Sequence, residues 1–220
     1  MFSVKSLEDG ASVLNSVRRL IRHVFPDRWR KYANECIGRR QRDWARIVMD
    51  DETRKFMASL APGQQSVLEI SGRDWEQFGF ARYRSLCYPE FDICSQVTEE
   101  KYDIITAEQV FEHVLRPRDA LRNICSMLNP GGVVLITTPF LLKYHGCPID
   151  VSRWTEQGLA EMLTEVGFSV ISSGGWGNRE CVIANLSPDD NWAGFNPLWG
   201  NLKNDPRFPI AVWAFGRRPA

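Results

Sequence analysis

Tyr102-Asp103-Ile104-Ile105-Thr106-Ala107-Glu108-Gln109-Val110-Phe111-Glu112-His113-Val114, followed by Pro117 and then by Leu128-Asn129-Pro130-Gly131-Gly132-Val133-Val134-Leu135-Ile136-Thr137-Thr138-Pro139, is the stretch that decides the fold. Two apolar runs within it, 103–106 and 133–137, have the length and boundaries of buried strands. Between them Ala120, Leu121, Ile124, Cys125 and Leu128 recur on one face of a helix predicted over 118–128, and a further helix is expected at about 107–115. Asn129-Pro130-Gly131-Gly132 breaks the helix before the next strand. Strands joined through a helix cannot form a tight hairpin, so these two are expected to be parallel. Outward from this unit, further strands are predicted at 66–70, 168–171 and 210–215. A helix over 156–166 carries Leu159, Met162, Leu163 and Val166 on one face and stops at Gly167. The expected fold class is therefore α/β: a doubly wound, mostly parallel sheet with helices on both faces and its ligand at the carboxyl ends of the strands.

Residues 1–60 carry a different pattern. Val13, Leu14, Val17, Leu20, Ile21 and Val24 recur at helical spacing until Pro26, Trp29, Tyr32, Ala33, Cys36 and Ile37 until Gly38, and Ile47, Val48, Phe56, Met57 and Leu60 until Ala61-Pro62-Gly63. The division this suggests is an N-terminal helical extension, 1–60, before a domain spanning 61–220. The chain of 220 residues has a formal charge of zero, but the extension holds 13 Lys and Arg against 8 Asp and Glu, and the remainder 14 against 19. The balance argues against nucleic acid as a partner. The basic leader is a solvated face, a lid over an anionic ligand, or a homodimer contact. No run approaches the roughly 18–20 apolar residues of a membrane span, and the N-terminus has no signal-peptide core, so a cytoplasmic protein is expected. The six cysteines form no C-x-x-C pair, which leaves zinc-ribbon and dithiol readings without support.

The chemistry begins at Val67-Leu68-Glu69-Ile70-Ser71-Gly72, an apolar strand with an acidic residue near its end and a turn of small residues. Such a turn lets backbone N–H groups approach a nucleotide at the start of the first helix. Farther on, Asp92 in Phe91-Asp92-Ile93 is placed to take ribose hydroxyls. The quoted stretch resembles the core of class I S-adenosylmethionine-dependent methyltransferases, those of the type 11 kind, which have a Rossmann-like fold. With Glu69, Asp92 and Val166-Gly167-Phe168 the resemblance covers about residues 65–172. It implies S-adenosyl-L-methionine as cofactor and S-adenosyl-L-homocysteine as product. It also implies that Glu69, Ser71, Gly72 and Arg73 serve the methionine end, Asp92 the ribose, and Ala107, Glu108 and Gln109 the pocket behind the sulfonium. Two departures stand out. The family's G-x-G-x-G turn aligns with Ser71-Gly72-Arg73-Asp74-Trp75, which keeps one glycine. Where the family has a helix and a strand, only Ile93 to Tyr102 intervenes, so either the sheet has lost a strand or Asp92 belongs to a different one.

For the acceptor, the loop after the strand at 133–137 offers Tyr144, His145, Asp150, Arg153 and Trp154. A hydroxyl needs a base to take its proton, and His145 is the candidate, with His113 as a second catalytic candidate or a structural residue against the sheet. Asp150 and Arg153 either orient the acceptor or pair to brace the loop, with Thr155 capping the next helix. Trp176, in what reads as an exposed, glycine-rich loop at Gly174-Gly175-Trp176-Gly177, is a candidate stacking face for a sugar ring. The expected reaction is O-methylation of a sugar or polysaccharide hydroxyl. The alternatives are a small-metabolite or lipid hydroxyl, or a non-catalytic binding protein of the same fold. A divalent metal such as Mg, held by Asp150 and neighbouring carboxylates, is compatible with the residues but not required by them.

Overall fold

The computed structural model describes residues 43–146, 148–186 and 192–220. The two leader helices predicted before Gly38 lie outside them. Among the described residues the chain forms α1 (Ile47–Ala58), β1 (Ser66–Ile70), β2 (Arg82–Leu86), β3 (Tyr102–Glu108), α2 (Pro117–Met127), β4 (Leu128–Pro139), α3 (Glu156–Glu165), β5 (Ser169–Trp176), α4 (Arg179–Asn185) and β6 (Ala211–Arg217). The six strands make one sheet in the order β2-β1-β3-β4-β6-β5. The first four are parallel, and β6 runs antiparallel to both of its neighbours. This is the mostly parallel α/β sheet expected.

Alternation along the strands builds a core on each face. Leu68, Ile70, Ile105, Val134 and Ile136 meet Leu121 and Ile124 of α2 and Leu159 and Leu163 of α3. Val67, Ile104, Val133, Leu135 and Phe215 meet Met49 and Met57 of α1 and Cys181 of α4. The described part of the leader is thus built into the same core as the sheet. β1 sends its chain to β2 on one side while β3 lies on the other, so the order reverses between β1 and β3. A ligand crevice opens at the carboxyl ends of such a pair.

Four local expectations are corrected. No helix follows β1: residues 71–81 cross to β2 as turns, held by Trp75, Phe78 and Phe80, whose rings pack together with centroids 4.8–6.4 Å apart. The helix expected at 107–115 is absent, because β3 runs on to Glu108 and Gln109 takes a left-handed conformation (φ 53°), leaving one short 3₁₀ turn at Phe111–His113. Asn129-Pro130-Gly131-Gly132 is drawn into β4 as an irregularity of the β3 pairing. A Cβ on Gly132 would stand 2.9 Å from the Asn129 carbonyl and 3.0 Å from that of Asp103, so only glycine fits. Gly174-Gly175-Trp176 is strand rather than loop, because the Trp213 indole lies across Gly174 where a side chain would collide. α4 then starts on Asn178, which accepts from the Cys181 N–H at 2.8 Å.

Candidate active site

At the carboxyl end of β1, Glu69 is buried and shapes the turn that replaces the missing helix. Its carboxylate accepts from the backbone N–H groups of Asp74 (2.9 Å) and Trp75 (3.2 Å) and from the Tyr83 hydroxyl (2.7 Å). A Cβ on Gly72 would come within 2.6 Å of Glu69 Oε1, so the surviving glycine is the one that lets the carboxylate fold under the turn. Ser71, left-handed at φ 59°, donates its N–H to Leu86. Arg73 points outward to an exposed Glu76.

Asp92 does not close a strand. β2 ends at Leu86, and Asp92 lies in a turn beyond it, accepting from the Cys94 N–H (2.8 Å) and the Ser95 hydroxyl (2.9 Å). The Cys94 N–H, with the Ser95 hydroxyl, holds its carboxyl below the usual range. No strand forms between Asp92 and β3, so the sheet lacks one there and Asp92 sits in the turn that stands in its place.

Beside the β1 turn, Glu108 ends β3 and is nearly enclosed. Burial pushes its carboxyl up to about 7, against the pull of Arg46. Arg46, just before α1, meets Glu108 at 3.0 Å, Asp50 at 3.3 Å and Asp74 at 3.4 Å. Ala107 is buried within β3. Gln109 is tied to β4 by its backbone N–H and its amide, each 3.2 Å from Thr137 Oγ1.

A second grouping lies on the far side of Gln109. Glu112 is fully buried, and among the described residues neither carboxylate oxygen has a hydrogen-bond partner. Burial pushes it up to about 7. His113 Nε2 and His145 Nδ1 face Glu112 Oε1 from 3.6 and 3.8 Å, and the two imidazoles are 4.9 Å apart. His113 Nδ1 meets the Ile149 carbonyl. Burial, and next the neighbouring His113, lower His145 below its ordinary value, so it is neutral at pH 7. Trp192 closes over it edge to face at 5.2 Å, with the Lys143 ammonium 5.1 Å above the Trp192 ring. Asp150 and Arg153 form a two-pronged ion pair, and Asp150 also accepts from the His145 backbone N–H at 2.7 Å. Burial works to raise the Asp150 carboxyl, but Arg153 and that N–H outweigh it and hold it low. The pair therefore fixes the loop and the backbone of His145. Thr155 caps α3, accepting from Gly158 N–H at 3.0 Å.

The acceptor candidates divide. Tyr144 is exposed, whereas Trp154 is half-buried, its ring edge-on to Phe111 at 6.4 Å. Trp176 is a core residue: it is 2% exposed and donates its indole N–H to the Leu202 carbonyl. It offers no face to a ligand, because the glycines around it serve close packing rather than a loop. The structure thus gathers His113, His145, Asp150 and Arg153 into one place and Glu69, Ser71, Gly72, Glu108 and Gln109 into the adjoining one. Sequence reasoning passed over Glu112 and Arg46. The pairing of Glu112 with a histidine was the available signal for the first; nothing set Arg46 apart from the other leader arginines.

A family model described as a methyltransferase domain matches residues 28–173. No curated protein matches the sequence. Among solved structures, a Burkholderia thailandensis 1,6-didemethyltoxoflavin-N1-methyltransferase with bound S-adenosylhomocysteine is similar over 100% of this chain and 93% of its own, at 13% identity and a TM-score of 0.51. An S-adenosylmethionine-dependent methyltransferase from Mesorhizobium loti is similar over 76% of this chain and 99% of its own, at 11% identity and a TM-score of 0.51. The [4+2]-cyclase SpnF is similar over 77% and 82%, at 15% identity and a TM-score of 0.50. At such identities the likeness is one of fold, and the cyclase illustrates that the fold alone does not fix the reaction.

Proposed function

This chain belongs to the methyltransferase domain family, with S-adenosylmethionine as its cofactor, and on that premise we propose that it transfers a methyl group to a hydroxyl oxygen of a sugar or glycan held beside Glu112, His113 and His145. The observation that carries this reading is a neutral imidazole, His145, set against a buried carboxylate at the same edge of the sheet as the cofactor crevice. The residues of the crevice fit the cofactor in charge: three carboxylates, Asp50, Asp74 and Glu108, cluster around the single guanidinium of Arg46, an excess of negative charge suited to a sulfonium and an α-ammonium. Glu69, Ser71 and Gly72 would shape the methionine end, and Glu108 and Gln109 would line the sulfonium side. When bound, the cofactor supplies an electrophilic methyl: a carbon–oxygen bond forms to the acceptor as the carbon–sulfur bond breaks. The chain's task is alignment and removal of the acceptor's proton, which passes to the His145 side. Asp150 and Arg153 hold that histidine by its backbone. The exposed Tyr144 and the Trp192 ring offer the aromatic faces a sugar favours.

The test pairs binding with turnover. S-adenosylhomocysteine should bind by calorimetry, and hydroxyl-bearing sugars should be methylated with release of S-adenosylhomocysteine. His145→Ala should lower kcat by roughly 10²–10⁴-fold with homocysteine-cofactor binding retained. Methylation of amines but no hydroxyls would overturn the acceptor class, and no cofactor binding at millimolar concentration would overturn the reading whole.

A further inference from the structure

Glu112, His113 and His145 have a geometry that acid–base chemistry does not require. Among the described residues, both oxygens of a fully buried carboxylate, and the buried Nδ1 of His145, lack any hydrogen-bond partner. Unmade bonds of this kind cost about 1–3 kcal/mol each, and more for a charged group, so a fold that keeps them together points to something that completes them. The donor atoms of the three residues all lie within 4.8 Å of one another. His113 is also held as a metal-ligating histidine is held. A carbonyl can only accept, so the contact from Ile149 places the hydrogen on Nδ1 and leaves the Nε2 lone pair facing Glu112. His145 is fixed in turn by Asp150, which Arg153 anchors.

We propose that Glu112, His113 and His145 form a divalent transition-metal site of two imidazoles and one carboxylate, with its open coordination positions toward the acceptor. Ligands about 2.0–2.1 Å from a tetrahedral ion stand roughly 3.3–3.4 Å apart. The two contacts to Glu112 Oε1, at 3.6 and 3.8 Å, need close by a few tenths of an ångström, and the two imidazole donors, within 4.8 Å of each other, by up to about 1.4 Å to reach that separation. Two imidazoles among three donors select Zn²⁺, Fe²⁺ or Co²⁺ over Mg²⁺ or Ca²⁺, which take oxygen sets. Asp150, the ligand considered for Mg on sequence grounds, has its oxygens engaged by Arg153 and the His145 N–H. Resting on the hydroxyl-acceptor reading, the consequence is that an ion-bound hydroxyl loses its proton more readily, and His145 then acts by holding the ion rather than by taking the proton itself.

Zn²⁺ and Co²⁺ titrated by calorimetry and visible absorption into tag-free, EDTA-stripped full-length protein test the site, with S-adenosylhomocysteine binding measured in parallel. One equivalent should bind, and Glu112→Gln and His145→Ala should each weaken it by at least the roughly 10–100-fold that outer-shell changes cost, with cofactor binding intact. Zinc-edge X-ray absorption on the unmutated protein, which depends on no variant folding, should report two imidazole nitrogens with oxygen. Cofactor binding without metal binding, unchanged affinity in His145→Ala, or a zinc environment without imidazole overturns the site. Metal binding without cofactor binding overturns the methyl-transfer reading instead and leaves the site standing.

Discussion

Arg46→Met is the perturbation that most directly tests how the leader is fastened to the catalytic edge. Arg46 is 29% exposed in its side chain and lies 3.0 Å from Glu108, which is 7% exposed. At that separation and an effective dielectric of about 20, the attraction is roughly 5–6 kcal/mol before Arg46 is charged for leaving water. Removing one partner of a buried pair costs about 3–5 kcal/mol when the survivor must stay ionised. Glu108 has an escape, because burial already raises its carboxyl to about 7 and loss of Arg46 raises it further. A carboxyl raised in the folded state binds more protons than its unfolded counterpart between the two values, so its ionised form destabilises the fold as pH rises through about 7. Below that range Glu108 is protonated with or without Arg46, and the substitution should cost little, mostly the contact with Asp50. At pH 8 the unsubstituted protein has the ionised pair and the variant does not, and the added loss, accumulated over the unit between about 7 and 8, should reach about 1–1.5 kcal/mol. Urea unfolding at pH 5.5 and pH 8 measures both, and Glu108→Gln in the Arg46→Met background should recover most of the pH 8 loss. A cost equal at the two pH values, or a coupling between the substitutions below about 0.5 kcal/mol, refutes the reasoning.

Other outcomes follow from the same geometry. Gly72→Ala should push the Glu69 carboxylate off at least one of its three donors, each charge-assisted bond being worth about 1.5–3 kcal/mol; thermal melting should register a destabilisation of at least about 2 kcal/mol and calorimetry a loss of S-adenosylhomocysteine binding. In EDTA-stripped protein Glu112→Gln should stabilise the fold at pH 8 by up to about 3 kcal/mol, the cost of ionising a carboxyl raised from 4.5 to about 7. At pH 5, where Glu112 is protonated in the folded protein, the gain should vanish, and urea unfolding at the two pH values decides.

The parallel strands were legible because they are buried on both faces: 66–70, 103–106 and 133–137 read as apolar runs, and nothing competes with that signal. β2 was not legible. It is an edge strand whose Arg82 and Arg84 pair with Glu100 in the open, so Arg82-Tyr83-Arg84-Ser85-Leu86 lacks an apolar run. Glycines misled twice for one reason, since Gly132 and Gly174 are needed for close approach within strands, a tertiary fact, whereas locally they signal turns. In the site, His145 could be picked out because it follows a parallel strand's carboxyl end in a polar loop. Glu112 was marked only by its place beside a histidine, and its enclosure was not legible, because whether a carboxylate is solvated or enclosed depends on packing by elements remote in sequence, here the loop carrying Val151, whose N–H bonds the Glu112 carbonyl.

Glu108 and Glu112 leave the same strand end on either side of the left-handed Gln109, and burial raises both to about 7. Their partners differ: a guanidinium and two further carboxylates surround the first, two imidazoles the second. With the proposed cofactor seated on the Glu108 side, that asymmetry predicts how binding depends on pH. A sulfonium seated near Glu108 favours its ionised form, so binding releases a proton wherever Glu108 is protonated beforehand. Affinity for S-adenosylmethionine should therefore rise by roughly tenfold between pH 6 and pH 8, the linkage expected of one group titrating near 7. S-Adenosylhomocysteine carries no charge on sulfur and should show a shallower rise, and Glu108→Gln should flatten the difference between the two. Calorimetry across that range separates the cases: parallel slopes for the two ligands would place the sulfonium away from Glu108, and would hand the role of charge partner to the exposed carboxylates of the β1 turn.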